Sequence, residues 1–507
     1  AIFTPFTYTI TATAGLGGNI DPSGSVIVDC GTDKTFSITP DDGFAIWNVF
    51  VDGVPKGALS SYTFTGVIED HTIEAKFEKL ETWVRPYNNT AVNGNDEAAD
   101  IAADLSSGNV YVTGYSIGDP TGPDYYTTGY DTLGTEGLQA RYDGPAHEGD
   151  FATAIDVDGL GNIYVTGYSY RGMPHKHADY CTVKYNSARE LVWDARYDAR
   201  RNGNDQATDI VAHSSGIYVT GKSQNSLSKK SDQLHYDYFT IKYEPNRGRM
   251  RWEARYNNND VNGEDMATAL AVDDSGNVYV TGYSSNGTDN EIVTIKYDMT
   301  GVQQWASVYD TVNNDEATDI AVDTSGNVYV TGFSSNGTDH EIVTIKYDVA
   351  TGSQQWLKTY EGGQGAALAV HQEEGSVSIH VTGFSLNGTG TDYVTIQYKA
   401  DGTQQWVATY NNEFYNGSDE ATALTVDSSG NVFVTGKSED TETGLDYYTI
   451  KYDSSGNVIW FARYSTSGNF QDEPTAIAVD STGNVFVTGK SNGFGTLFDF
   501  VTVMYEK

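Results

Sequence analysis

The sequence predicts an all-β protein, and three observations lead to this fold class. The 507 residues contain eight copies of one motif, Val-Thr-Gly followed by an aromatic residue or Lys and then Ser. Each copy lies among short runs of alternating or β-branched residues, which are typical of strands. Turns rich in Gly and Asn separate these runs, as at residues 323–327, and such residues favour tight connections between strands.

The spacing of the motif predicts how the strands are arranged. The fifth copy shows four strand-like runs, at residues 315–323, 327–334, 341–348 and 354–360. Repeats of ~40–50 residues with four strands each are typical of a β-propeller. We therefore expect one four-stranded blade per copy. The motif glycines follow one another at intervals of 50 to 61 residues: Gly114, Gly167, Gly221, Gly282, Gly332, Gly383, Gly436 and Gly489.

The two ends of the repeat region predict how the ring closes. The last copy ends at Tyr505, after its third strand. A fourth strand with the expected spacing, residues 83–87, precedes the first copy. We therefore expect an eight-bladed β-propeller whose N-terminal strand completes the last blade. A ring closed in this way leaves no free sheet edge.

A tryptophan recurs at one position of the fourth strand, where the first repeat has Leu138 instead. We interpret these rings as packing between neighbouring blades, because one buried aromatic ring removes roughly 150–250 Å² from water. An aromatic cage for a ligand is the alternative. The motif glycine is also interpreted as a packing residue, because glycine lets two backbones approach closely. The tryptophans are Trp83, Trp193, Trp252, Trp305, Trp356, Trp406 and Trp460.

The first 79 residues do not match the repeat, so we expect two domains, a small all-β module at 1–79 and the propeller at 80–507. Residues 7–78 contain short alternating strands separated by Gly-Gly, Pro-Ser-Gly and Asp-Asp-Gly turns. We expect Trp47 and Phe50 in the core of the module, and a structural role for His71. Residues 1–5 are expected to be a disordered tail. Alternatively, they pair with the sheet edge of a neighbouring subunit.

Composition excludes several classes of partner. The chain has 69 Asp and Glu against 30 Lys and Arg, for a net charge of −39. This charge argues against nucleic acid or an anionic membrane surface, which bind clustered cations. Two cysteines, Cys30 and Cys181, do not make a disulfide scaffold, and no apolar stretch is long enough for a transmembrane helix. Because the sequence starts with Ala1, we expect a processed N terminus.

Two resemblances add to this interpretation. The repeat, best seen in AVDTSGNVYVTGFS at 321–334, resembles the SBBP β-propeller repeat of bacteria and archaea over residues 80–507. That family name implies seven blades, whereas this chain has eight copies. The module, including His71-Thr72-Ile73, resembles a divergent internalin-type B-repeat of bacterial surface proteins. Both resemblances imply a secreted or cell-surface protein and say little about chemistry.

The first candidate site is the acidic start of the first strand in seven repeats, on the face that carries the variable loops. We expect these carboxylates around the axial mouth, where they could bind Ca²⁺, a cation with 6–8 oxygen ligands. The favoured interpretation is that each Asp caps its own turn by accepting backbone N–H groups. The sixth repeat lacks this residue. The aspartates are Asp96, Asp150, Asp205, Asp265, Asp315, Asp419 and Asp472.

The second candidate site is a group of basic residues in two loops of adjacent repeats. In an acidic chain such a patch could receive an acidic partner, including another copy of the protein. A solvated loop surface is the plainer interpretation. His175 and His177 are two residues apart, which suits a metal poorly. The residues are Arg171, His175, Lys176 and His177 in the second repeat, and Lys222, Lys229, Lys230 and His235 in the third.

Motifs typical of enzymes are absent from the sequence, including Gly-x-Ser-x-Gly, His-Glu-x-x-His, a phosphate-binding loop and Cys-x-x-Cys. One enzyme resemblance exists. Residues 298–301 with Trp305 resemble the docking motif of eight-bladed quinoprotein dehydrogenases. However, only repeats four to seven approach that motif, and the adjacent cysteine pair of those enzymes is absent.

These observations predict a non-catalytic extracellular or cell-surface protein for adhesion or for self-assembly into a filament or layer. Its partners would be other copies, other surface proteins or glycans, and its only cofactor would be Ca²⁺. The first alternative is a lectin-like propeller with several similar shallow sites, which would bind carbohydrate with avidity. The second is a quinoprotein-type oxidoreductase.

Overall fold

The computed structural model describes residues 6–92, 94–118, 122–172, 177–198, 203–225, 235–258, 263–335, 337, 339–373, 375–388, 390–412, 417–440, 443–466, 470–492 and 497–507. The regular elements in these ranges are all β-strands, which confirms the all-β class. Over the same ranges, no helix has the length and apolar character needed to cross a membrane.

The N-terminal module consists of two sheets. Its strands are β1 (Thr7–Ala14), β2 (Gly18–Asp21), β3 (Gly24–Asp29), β4 (Lys34–Pro40), β5 (Phe44–Val51), β6 (Val54–Pro55), β7 (Ser61–Phe64) and β8 (His71–Lys79). One sheet has the order β3-β1-β8-β5-β6 and the other β2-β4-β7. Alternating residues such as Ile10, Phe36 and Ile73 are fully buried between them. The binary pattern of the sequence thus produces a small two-layer core.

The remaining strands form sets of four, numbered here as blades. The first strand in the chain is β9 (Trp83–Tyr87). Blade 1 contains β10 (Asp96–Ala103), β11 (Val110–Gly118), β12 (Gly122–Tyr130) and β13 (Glu136–Tyr142). Blade 2 contains β14 (Asp150–Val157), β15 (Ile163–Tyr170), β16 (Ala178–Tyr185) and β17 (Leu191–Tyr197). Blade 3 contains β18 (Asp205–His213), β19 (Gly216–Asn225), β20 (His235–Tyr243) and β21 (Met250–Tyr256). Blade 4 contains β22 (Asp265–Val272), β23 (Val278–Ser285), β24 (Asn290–Tyr297) and β25 (Gln303–Tyr309).

The second half of the ring follows the same plan. Blade 5 contains β26 (Asp315–Val322), β27 (Val328–Ser335), β28 (His340–Tyr347) and β29 (Gln354–Glu361). Blade 6 contains β30 (Gly363–Glu373), β31 (Ser376–Leu386), β32 (Thr391–Lys399) and β33 (Gln404–Tyr410). Blade 7 contains β34 (Asp419–Val426), β35 (Val432–Asp440), β36 (Gly444–Tyr452) and β37 (Val458–Tyr464). The last set contains β38 (Phe470–Val479), β39 (Val485–Ser491), β40 (Asp499–Tyr505) and β9.

The last set of strands is completed from the N-terminal side of the ring, as the sequence predicts. Strand β9 pairs antiparallel with β40, and Trp83 lies opposite Met504 in this register. The first strands of successive blades contact one another, and β10 contacts β38. The described strands therefore return to their starting point, which confirms a propeller.

Hydroxyl groups connect the inner strands around this ring. In every blade the pairing of the first two strands skips one residue of the first strand, and that residue is Thr in six blades. A bulge of this kind re-aims the extra side chain. The six threonines each donate a hydrogen bond to a backbone oxygen of the next inner strand: Thr153, Thr208, Thr268, Thr318, Thr422 and Thr475. The last of these bonds, from Thr475 Oγ1 to Ala98 O at 3.1 Å, joins the last set of strands to blade 1.

The repeated tryptophan packs against the following blade, which confirms the packing interpretation. Trp305 is 8% exposed and donates from Nε1 to Val349 O at 3.2 Å. A Cβ added to Gly352 would lie 2.6 Å from the Trp305 ring, so the turn of the next blade sits directly on the indole. Trp460 differs, because its buried Nε1 has no hydrogen-bond partner among the described residues. The fourth strand of the next blade is β9, from the other end of the ring, so β40 is not joined to it by the turn that provides this oxygen in the other blades.

The module packs against blade 7 of the propeller. The Trp47 ring meets Phe461 of β37 edge-on, with centroids 5.4 Å apart. Trp47 is half-buried and does not belong to the module core, so the expectation for this residue was wrong. Its indole seals the contact between the domains instead. Phe50 is 9% exposed but also lies outside the cluster that forms the module core, so the expectation for it was wrong too. The Nδ1 atom of His71 lies 2.8 Å from Asp52 Oδ2, a contact within the module that fits a structural role.

Candidate metal sites between the blades

The seven aspartates predicted at the start of the first strands share one environment. Each is 0% exposed, so the expectation that they surround an open axial mouth was wrong. The side chains turn back toward the loop that precedes them, and this loop covers them. Asp96 accepts from Asn89 N, Asp419 from Asn412 N and Asp472 from Thr466 N, each at 2.8 Å. These bonds have the geometry of the capping interpretation.

Two of the seven belong to larger carboxylate groups. Cluster 1 is Asp124, Asp143 and Asp150, and cluster 2 is Asp179, Asp198 and Asp205. Within each cluster, one carboxylate oxygen from every residue lies within 4.8 Å of the other two. Both clusters combine the third strand of one blade, the residue after its fourth strand and the first residue of the next blade. The two clusters therefore lie between blades 1 and 2 and between blades 2 and 3.

In cluster 1, cationic and backbone donors reach one side of each carboxylate. Arg141 Nη1 lies 2.9 Å from Asp124 Oδ2. The Asp150 Oδ2 atom accepts from Gly144 N at 2.6 Å. Burial raises the pKa of Asp150 to about 6, although hydrogen bonds to its carboxylate oppose this shift. His147 Nδ1 contacts Asp143 Oδ2, and this contact raises the pKa of the exposed imidazole.

In cluster 2, an arginine from the predicted basic patch is the main counter-ion. Arg171 Nε lies 2.6 Å from Asp179 Oδ2, and its Nη2 lies 3.0 Å from Asp198 Oδ2. Arg196 Nη2 lies 3.7 Å from Asp179 Oδ2. Burial raises the pKa of Asp179, and the contact with Arg171 opposes that shift. The partly exposed Arg171 side chain thus forms ion pairs with two aspartates of its own chain, which sequence spacing could not indicate.

The other members of the basic patch contribute less to a described site. His175, Lys176, Lys229 and Lys230 lie outside the described residues. Lys222, His177 and His235 are half-buried, and Lys222 Nζ lies 4.8 Å from the centroid of the Tyr236 ring. A surface that receives an acidic partner stays a prediction for these loops.

The boundary between blades 3 and 4 shows an amide version of the same arrangement. Asp237 and Asp265 occupy the positions of Asp124 and Asp150, but Asn257 replaces the middle carboxylate. Asn257 Nδ2 donates to Asp237 Oδ1 at 2.7 Å. Among the residues that the structure covers, the three-carboxylate arrangement was found at clusters 1 and 2 and not at the remaining predicted aspartates, Asp96, Asp265, Asp315, Asp419 and Asp472.

Four carboxylates that connect the inner strands were not predicted from the sequence to have this role. Each accepts two backbone N–H groups, one from the next residue and one from the following blade. Asp209, for example, accepts from Ile210 N and Leu270 N, both at 2.7 Å. For three of them the signal was present in the sequence, because an Asp follows the first Asp by four residues in DEAAD, DQATD and DEATD, whereas Asp156 follows Asp150 by six. The four residues are Asp100, Asp156, Asp209 and Asp319.

Burial keeps these carboxylates protonated far above the ordinary pKa of 3.8. Burial, together with the charges of Asp100 and Asp319, raises the pKa of Asp209 to about 8. Because the folded protein binds the proton more tightly than the unfolded chain, stability is greatest below pH 4 for this group and falls as pH rises toward 8. We expect the Tm to fall between about pH 5 and pH 8, and Asp209→Asn to flatten this dependence.

Thermal unfolding followed by circular dichroism at constant ionic strength measures this dependence. Asp274→Asn changes an exposed carboxylate of a surface turn and is the matched control. The same slope in the Asp209→Asn variant and the unmodified protein would contradict the assignment.

A cleft between the module and the propeller is lined by several aromatic side chains. It has a volume of 240 Å³ and is lined by Trp47, Tyr410, Tyr448 and Phe461, among others. The rings of Tyr410 and Tyr448 are stacked with centroids 4.0 Å apart, and Tyr448 stacks on Phe461 at 5.6 Å. This stack ties blades 6 and 7 together beneath the module.

Comparison with known proteins supports the repeat assignment. A profile of the SBBP beta-propeller repeat matches residues 141–171, 261–288, 405–441 and 459–495. The chain carries SBBP-type β-propeller repeats. These matches confirm the resemblance of the repeat, while the likeness of the module to an internalin-type B-repeat stays a prediction. The four segments that match the repeat profile lie in both halves of the ring.

Solved structures agree with the fold of the SBBP-repeat propeller. Sqt1 from Chaetomium thermophilum, bound to the N-terminus of ribosomal protein L10, is 11% identical, with a TM-score of 0.50 over 82% of this chain and 98% of that chain. The C-terminal WD40 domain of Sif2 is 10% identical, with a TM-score of 0.50 over 82% and 97%. At these identities the likeness shows the fold alone. No curated protein sequence matches the chain.

Proposed function

We propose that this SBBP-repeat propeller is a non-catalytic protein of the cell surface or extracellular space that assembles with other copies of itself. The observation that carries the proposal is a sheet edge of the N-terminal module that pairs with no other described strand, whereas the strands of the propeller return to their starting point. Strand β3 lies at one end of the five-stranded sheet of the module. An unpaired strand edge is a template for another chain.

The composition of β3 favours this role. Its sequence, Gly-Ser-Val-Ile-Val-Asp, carries three β-branched residues and a single charge. Ile27 is 73% exposed at the centre of the strand. Natural edge strands are commonly protected by residues such as Lys or Pro. Neither residue occurs within β3. A strand of a second copy is therefore the partner that we propose for this edge.

The rest of the molecule supports a scaffold rather than an enzyme. The repeated aspartates and threonines are used in hydrogen bonds inside the ring, as described above. The net charge of −39 keeps the bodies of the rings apart, which favours contacts through a defined edge. Location outside the cell is supported by the resemblance of the repeats to those of surface proteins.

The Ile27→Lys variant tests the proposed assembly. A lysine on the exposed side of β3 should block edge pairing without disturbing the fold, since Ile27 is mostly exposed. We expect filaments, sheets or multimers of the unmodified protein in negative-stain micrographs and light scattering, and single rings with the variant.

Val302→Lys is the matched control, because Val302 is a 58% exposed residue of a propeller turn. It should assemble like the unmodified protein. Isolated rings of the unmodified protein at high concentration, or unchanged assembly of Ile27→Lys, would contradict the proposal.

A further inference from the structure

We propose that cluster 1 and cluster 2 each bind one Ca²⁺ ion between neighbouring blades. Ca²⁺ prefers carboxylate and carbonyl oxygens and tolerates irregular geometry. Both clusters provide three carboxylates that converge from two blades. The proposal differs from a ring of cations at the axial mouth, because only two of the seven predicted aspartates, Asp150 and Asp205, take part.

The spacing of the oxygens suits an ion of this size. In each cluster the three ligand oxygens lie within 4.8 Å of one another. Ca²⁺–oxygen distances of about 2.3–2.6 Å place two ligands on opposite sides of one ion at most about 5 Å apart. Mg²⁺ demands a nearly ideal octahedron, whereas Ca²⁺ tolerates the irregular set of oxygens that two separate blades provide. We therefore propose Ca²⁺ as the ion.

Unsatisfied oxygens provide the second, independent observation. Asp150 and Asp179 are 0% exposed. In Asp179, Oδ2 has a donor within the protein, but the buried Oδ1 has none among the described residues. The Oδ1 atoms of Asp143 and Asp198 are in the same situation. A buried carboxylate oxygen without a donor is costly, and a bound cation removes this cost.

The balance of charge points the same way. The six carboxylates of the two clusters face three arginine side chains, Arg141, Arg171 and Arg196, and the imidazole of His147. Even with His147 protonated, these four cations leave part of the charge of six ionised carboxylates unbalanced, so another cation is needed. One divalent ion in each cluster provides it from the side that the guanidinium groups leave free.

The amide version of the arrangement shows how the chain manages without a cation. Between blades 3 and 4, the Asn257 amide nitrogen donates to Asp237 Oδ1. The amide thus donates the hydrogen bond that the corresponding oxygen of cluster 2, Asp179 Oδ1, lacks among the described residues. Replacing the middle carboxylate of a cluster with Asn should therefore abolish cation binding and leave a fold that the chain already uses elsewhere.

Calcium titration of the intact, chelator-treated protein tests the proposal. Isothermal calorimetry and equilibrium dialysis with Ca²⁺ alone should give a stoichiometry of two, and the Tm should rise with the Ca²⁺ concentration. We expect Asp143→Asn to reduce the stoichiometry to one, Asp198→Asn to do the same, and the double variant to lose Ca²⁺ binding together with the Tm increase.

Asp274→Asn, an exposed carboxylate outside both clusters, is the matched control and should retain two ions. Circular dichroism establishes that each variant is folded before titration. No Ca²⁺ binding by the unmodified protein, or two ions still bound by the folded double variant, would overturn the proposal. In that outcome water or protons, rather than a metal, satisfy the buried oxygens.

Discussion

We expect the Trp305→Ala substitution to lower the free energy of unfolding by ~3–5 kcal/mol, the range for deletion of a large buried aromatic side chain. The indole is 8% exposed and fills the contact between blades 4 and 5. Its rings lie against Tyr279 and Tyr347, with centroids 6.1 and 6.3 Å away. The substitution removes these contacts and the hydrogen bond to Val349 O at the same time.

Urea unfolding followed by circular dichroism measures this loss. Trp252→Ala is the matched comparison, because Trp252 occupies the same repeat position but is half-buried. Its substitution should cost less than that of Trp305. A change within error for Trp305→Ala would show that the blades do not depend on the indole, and an aromatic cage would then become the better interpretation.

We expect Gly332→Ala to destabilise the protein by ~3 kcal/mol, at the upper end of the range for overpacking. A Cβ at this position would lie 2.0 Å from Glu316 O and 2.7 Å from Ala317 Cα. Both atoms belong to the backbone of the neighbouring strand, so no side-chain rotation can relieve the clash. The two inner strands of blade 5 would have to separate.

Gly159→Ala is the control for this substitution, because no atom lies within 4 Å of the added Cβ. It should be neutral or slightly stabilising, since alanine reduces the freedom of the unfolded chain. Differential scanning calorimetry of both variants distinguishes the effects. Equal melting temperatures for Gly332→Ala and the unmodified protein would contradict the close approach of the strands.

Much of the fold could be predicted from the sequence because the repeat makes the same demands eight times. A glycine that follows Val-Thr in all eight copies, and a tryptophan in seven of the eight fourth strands, indicate packing constraints that a single copy would not. Trp83 and Tyr87 carried the fourth-strand pattern at the N-terminal side, which was enough to predict the closing strand. Strand positions in blade 5 were also predicted to within about one residue.

The candidate metal sites could be predicted only in part, because their residues come from different positions of different repeats. Asp150 was singled out as part of a repeated motif. Asp124 and Asp143 belong to the preceding blade. Asp179 and Asp198 precede Asp205 at the same two spacings, but in a chain so rich in Asp this coincidence does not show that the three side chains converge. The role of Arg171 was hidden for the same reason, since its carboxylate partners are revealed only by the three-dimensional approach of strands and loops.

The position of Trp47 illustrates a further limit. Its hydrophobic neighbours in the sequence indicate a core residue, and the ring is indeed removed from water in part. The partner that covers it, Phe461, belongs to the other domain. A hydrophobic pattern shows that a side chain will be buried, but not which part of the molecule will bury it.

The pairing of β9 with β40 has a consequence for the order in which the protein can be made. Glu506 N donates to Thr82 Oγ1 across 424 residues of chain, so the ring cannot close until all of the repeats have been synthesised. Until then β9 has no partner strand. Arg85 and Pro86 disfavour its pairing with another sheet, because a charge and a missing N–H group both weaken strand pairing. We therefore expect ring closure to be a late step of folding, in which β40, the last strand to be synthesised, pairs with β9, the first strand of the ring.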